Sequence, residues 1–110
     1  MEWNHYLSYF FGGAFLANSI PHMVSGIMGR AFQIPFAHPR GQGLSTSTTN
    51  VVWGFFNITI GYLLVLHVGN FDIHNCVEVG TLGVGAFTIS FILAKRFSRF
   101  HGGNLIKASD

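Results

Sequence analysis

The chain has 110 residues, enough for one domain, of which 49% are hydrophobic and only 9% charged, with a formal net charge of +2 at pH 7. An ordinary soluble domain is about 25% charged, so this composition points to an integral membrane protein, and six basic residues are too few for a phosphate-binding stripe, which argues against nucleic acid. The single cysteine, Cys76, excludes an internal disulfide and a cysteine-based zinc site within one chain.

The first predicted element is a membrane-spanning helix from Leu7 to Met28, a stretch without formal charge. Trp3, Tyr6 and Tyr9 stand at its start, where interfacial aromatic residues belong. The leader MEWNHY has no Lys or Arg, so a cleaved signal peptide is not expected. The helix carries a stripe of small and polar residues, Asn18, His22, Ser25 and Gly29. Pro21 interrupts it and leaves the carbonyl of Ala17 without a helical donor. Asn18, Ser19 or a trapped water would satisfy that carbonyl, beside an expected kink.

The connection from Gly29 to Asn50 is longer than the roughly 2–8 residues usual between packed helices. Pro35 and Pro39 exclude a continuous helix, and Phe32, Ile34 and Phe36 are apolar enough to dip toward the bilayer. The Gly41-Gln42-Gly43 turn would allow an anion-holding nest. An ordered surface loop is expected, with closure over a pocket as the competing reading. The run from Ser45 to Asn50 is rich in capping residues and should start the second helix.

The second span is Val51 to Val68, free of Asp, Glu, Lys and Arg and about 27 Å long, close to the hydrocarbon thickness. Its stripe is Asn50, Gly54, Asn57 and Gly61, with Trp53 near its start. The third span runs from Val77 to about Lys95, with Glu78 at its leading edge and a stripe of Gly80 and Gly83, close to Gly85, Thr88 and Ser90. The expected fold class is therefore all-α: a single domain that is a bundle of three transmembrane helices with a long ordered loop between the first two.

Arg30 and Arg40 lie in the first connection, Lys95, Arg96, Arg99 and Lys107 follow the third span, and the short link from Gly69 to Asn75 has no base. All six fall on one side of a three-helix protein. The positive-inside rule makes that side cytoplasmic, which predicts a multi-pass protein of the cell (inner) membrane with its N-terminus outside and its C-terminus inside.

The stripes should face one another, because small residues let membrane helices approach and polar ones bond across the interface. Counted from the cytoplasmic ends, His22, Asn57 and Thr88 each lie about 9 Å deep, with Asn18 one turn deeper. A polar layer of Asn18, His22, Asn57, Thr88 and Ser90 is expected, with His22 and Asn57 within hydrogen-bond or one-water reach. It serves either as a structural contact or as a site where His22 takes a ligand, metal or proton. No carboxylate lies at that depth, which argues against a His–acid relay. A second group, His5, His67 and His74, falls near the other face with Glu2, Asp72, Cys76 and Glu78. These types suit zinc or copper, but no pair has the tight spacing of a metal motif, so metal and cofactor stay unknown. Haem would need His22 or His67; their different depths prevent them from sharing one haem.

The run Asn18-Ser19-Ile20-Pro21-His22, with Gly26, Gly29, Pro35-Phe36, Gly41 to Ser45, Asn50, Trp53-Gly54 and Asn57, resembles a family of small, uncharacterised bacterial multi-pass membrane proteins. The likeness spans about residues 12 to 62. It implies a bacterial multi-pass protein and no assigned activity. The expected function is a non-enzymatic subunit or oligomeric scaffold with a polar intramembrane site for a small ligand or partner helix. Its expected partners are the lipid bilayer and a homo-oligomer or membrane complex. The alternative is a membrane-embedded redox or enzyme subunit using His22.

Overall fold

A computed structural model describes residues 3–104; Glu2 and Lys107 lie outside the described residues. Helix α1 spans Trp3–Ile27, α2 spans Ser47–Tyr62 and runs on as a wider π-helical segment, Leu63–Val68, and α3 spans Cys76–His101. Between α1 and α2, strand β1 (Phe32–Gln33) pairs antiparallel with β2 (Leu44–Ser45), in the register Phe32 to Ser45 and Gln33 to Leu44.

The helix ends follow from local chemistry. Gly29, at φ +75°, ends α1 in a Schellman motif: its N–H reaches the Gly26 carbonyl at 3.0 Å, and Arg30 N–H reaches the Ser25 carbonyl at 2.8 Å. Thr46 caps α2 by accepting from the Thr49 N–H at 3.2 Å. Asn75 caps α3 by accepting from Val77 N–H at 3.0 Å and Glu78 N–H at 3.1 Å. Helix α2 therefore starts inside the expected capping run, one turn before the apolar span counted from Val51, α3 continues past Lys95 to His101, and α1 starts at Trp3 and ends at Ile27. The helix assignment of α1 passes through Pro21 without a break, and Ser19 Oγ donates to the Leu16 carbonyl at 2.6 Å.

Two helical stretches, Ser47–Val68 and Cys76–His101, are long and apolar enough to cross a membrane. With 25 residues, α1 matches them in length, but its Asn, Ser and His side chains dilute its hydropathy. It occupies the middle of the fold, packed on α2 along one side and on α3 along the other, while α2 and α3 have almost no direct contact. Its buried residues include Ser8, Ser19 and His22, whereas Leu7, Phe11, Ile20, Val24 and Ile27 face outward.

Glycines set the two interfaces. On α2 all four stripe positions, Asn50, Gly54, Asn57 and Gly61, are buried. A Cβ on Gly54 would lie 2.7 Å from the Met23 side chain, and one on Gly61 would lie 2.6 Å from Leu16, so α1 and α2 meet as the spacing predicts. Helix α3 differs from expectation. Gly80 and Gly83 face open space, and the close approach is made by Gly85 against the Phe10 carbonyl, together with Gly13 of α1 against the Leu82 carbonyl.

Candidate functional site

The connecting loop is fastened to the helices by Asn50, which is fully buried in the first turns of α2. Its Nδ2 donates to the carbonyls of Phe32 at 3.2 Å, Ser45 at 3.2 Å and Thr46 at 3.0 Å. Its Oδ1 lies 2.8 Å from His22 Nδ1. Because that amide oxygen only accepts, Nδ1 carries the shared proton, and in the neutral ring Nε2 is left as an acceptor. One asparagine thus joins α1, α2 and both strands of the loop.

Phe32, held there by its backbone, is wedged between two imidazoles. Its ring meets His22 edge-on at 5.5 Å and stacks on His101 at 5.1 Å with 2° between planes. Phe97 closes on it at 4.8 Å. Beside it, buried Gln33 shares a hydrogen bond with His101 Nε2 at 2.9 Å. Further along the loop, Arg96 Nη2 donates to the Gly41 carbonyl at 3.3 Å. The loop therefore spans from the α1–α2 pair to the end of α3.

Under the loop lies a cavity of about 640 Å³, within the size range of small-molecule sites. Asn18, His22 and Trp53 line it from α1 and α2, Leu93, Arg96 and Phe97 from α3, and Gln33, Phe36, His38 and Arg40 from the loop. Its cations, Arg40 and Arg96, have no acidic residue among the lining groups. Asn18 Nδ2 donates to Asn57 Oδ1 at 2.9 Å, and Asn57 Nδ2 donates to the Trp53 carbonyl at 2.8 Å. The Trp53 indole Nε1 is buried with no hydrogen-bond partner.

The expected pairing of His22 with Asn57 is replaced by two pairs, His22 with Asn50 and Asn18 with Asn57. The physical reason is the α2 start at Ser47: measured from there, Asn57 sits one turn deeper, opposite Asn18. Thr88 and Ser90 do not complete this layer. Both are exposed, and Thr88 Oγ1 donates to its own helix at the Val84 carbonyl, 2.7 Å away. Thr88 instead lines a second groove, about 380 Å³, between α1 and α3, which also touches Asn18. Sequence reasoning missed Gln33, Arg40, Arg96 and His101 as site residues; the bases of the loop and of the end of α3, with no acid among them, were the available signal.

At the opposite end, Tyr9 is buried and its hydroxyl accepts from Asn70 N–H at 3.1 Å, while its ring meets Phe71 at 5.4 Å. Glu78 accepts from Asp72 N–H at 2.8 Å. His67 and His74 are exposed and His5 is half-buried. Among the described residues no three His, Cys, Asp or Glu side chains converge as a metal-binding group. No family model, curated protein or solved structure matches this chain.

Proposed function

We propose that this chain is a three-span protein of the cell membrane, N-terminus outside, whose loop-covered cavity at the cytoplasmic end binds a small ligand without chemistry of its own. The observation that carries the reading is the cavity's construction: Asn18 and buried His22 of α1 with Trp53 of α2 form one wall, and a loop bonded to the helices forms another. Membrane residence is supported by an inverted distribution of side chains. The fully or nearly buried groups include Ser8, Ser19, His22, Gln33, Asn50 and Asn57, whereas Phe55, Phe56, Leu66, Phe87, Phe91 and Ile92 are exposed; in water such apolar surface would be covered.

Helix α1 is the third span in this reading, because Ser8, Ser19 and His22, which lower its hydropathy, are buried. Assembly into a homo-oligomer or larger complex belongs to the same proposal, since Gly80 and Gly83 leave a smooth open stripe on α3 suited to a partner helix. Native mass spectrometry of the protein released from detergent tests the reading. A retained small-molecule mass is expected, reduced in Asn18→Leu and Trp53→Phe; a bare polypeptide mass with no ligand under any gentle condition would overturn it. The free acceptor Nε2 of His22 supports a second reading, a redox or enzyme subunit. A Soret band or stoichiometric metal in the purified protein, lost in His22→Leu, would select that one.

A further inference from the structure

Two cavities of different chemistry share a wall residue. The cytoplasmic-end cavity presents Arg40 and Arg96 and no acid, and the groove beyond it is lined by Phe10, Phe11, Phe15, Gly85, Thr88 and Ile92, almost wholly apolar. Asn18 belongs to the walls of both. From Asn18 back to Phe10, α1 rises about 12 Å, so the groove runs on along the helix from the cavity. Phe11, Thr88 and Ile92 are exposed, so the groove is open sideways along its length.

We infer that this composite site holds an anionic phospholipid, its headgroup in the arginine-lined cavity and one acyl chain in the groove between α1 and α3. The inference rests on the membrane-embedded ligand-binding reading above and names its ligand. Charge complementarity selects the headgroup: Arg40 and Arg96 are exposed at the cavity, and Arg96 has only a long bond to the Gly41 carbonyl at 3.3 Å, so its remaining donors can turn to phosphate. The lateral opening selects a bilayer lipid over a water-borne ligand, because the chain can slide in from the membrane without leaving hydrocarbon.

The experiment is a titration of the detergent-purified full chain with dioleoylphosphatidylglycerol and dioleoylphosphatidylcholine, read by native mass spectrometry. The chains are identical, so the ratio of affinities isolates the headgroup. A preference for the glycerol lipid of about 30-fold is expected, since about 1 kcal/mol per basic residue at two arginines converts to that factor at 1.4 kcal/mol per tenfold. Arg40→Gln with Arg96→Gln should erase the preference. Thr88→Trp should weaken both lipids by filling the groove, and Ile92→Trp repeats the block one turn on if the first variant does not fold. Equal affinity for the two lipids, or no effect of either tryptophan, would overturn the inference. Inorganic phosphate binding as tightly as the lipid would also overturn it, as would oleate matching it, while leaving the cavity a ligand site. Failure of both lipids with some other mass retained removes this inference and spares the function proposed above; failure of every ligand removes both.

Discussion

Asn50 is the residue on which the loop-covered end of the bundle turns. Its carboxamide bonds to His22 and to three backbone carbonyls of the loop and helix cap, whereas Asn57 bonds to its own helix and to Asn18, which lines the cavity. Replacing Asn50 by Leu leaves a buried imidazole donor and the Phe32 carbonyl without that partner. A buried group so orphaned costs about 1–3 kcal/mol, and about 2 kcal/mol is expected. Asn57→Leu should cost less than about 1 kcal/mol, because interhelical bonds in membranes average about 0.6 kcal/mol and Asn18 keeps access to the cavity. Denaturant unfolding of the purified variants checks the order; an equal or reversed loss would show that Asn50 is not the fastening point. At this scale the sequence was half legible. The polar stripe of α2 could be read from its spacing, but the partner of each polar group depends on where the helix starts, and one turn of error moved His22 from Asn50 to Asn57. The carbonyls that bind Asn50 come from a loop with no period to read.

The helices meet through glycines, and the three faces of α3 show why only some could be named in advance. Gly83 and Gly85 are two residues apart, about 200° around a helix of 3.6 residues per turn, so they cannot face the same neighbour. A Cβ at Gly85 would strike the Phe10 carbonyl, whereas Gly83 has nothing within 4 Å. Gly85→Ala should therefore push α3 from α1 and cost about 1–3 kcal/mol, the range for forcing a methyl into a packed interface. Gly83→Ala should be neutral or stabilise by up to about 1 kcal/mol, through the helix preference of Ala over Gly. The pair is compared by unfolding in the same detergent, and equal effects would mean that the α1–α3 contact is not set by Gly85. In α2, one neighbour and one interface made the stripe unambiguous. In α3, small residues fall on several faces, and the sequence holds no signal for which face α1 occupies. The loop's contact with α3, through Gln33 and His101, joins positions far apart in the chain and is equally invisible to local pattern.

At the scale of the whole molecule, charge and exposure point the same way. The described basic residues Arg30, Arg40, Lys95, Arg96 and Arg99 lie in the loop and at the end of α3, elements joined by the Arg96–Gly41 and His101–Gln33 contacts. Asp72 and Glu78 lie at the opposite end, where the Glu78 carboxylate accepts from the Asp72 backbone N–H. Between these ends the outer surface is a band of Phe, Leu, Ile and Val. That arrangement supports the proposed membrane position, in which the basic end faces the cytoplasm and the apolar band faces lipid. Composition and base placement made this legible from the sequence, since neither depends on how the helices pair. Cysteine labelling tests it in a Cys76→Ala background, the native thiol being exposed. The loop site should be Gln42, because Gly41 has φ +67° and a Cβ there would meet Arg96. Cysteine at Gln42 should react with a membrane-impermeant maleimide only after the cell is opened, and cysteine at Asn70 should react in intact cells. Reaction at Gln42 from outside would reverse the orientation, and with it the assignment of the arginine-lined cavity to the cytoplasmic leaflet. Reaction at both sites from the same side would instead remove α2 as a span, a result that its uncharged surface from Val51 to Val68 argues against.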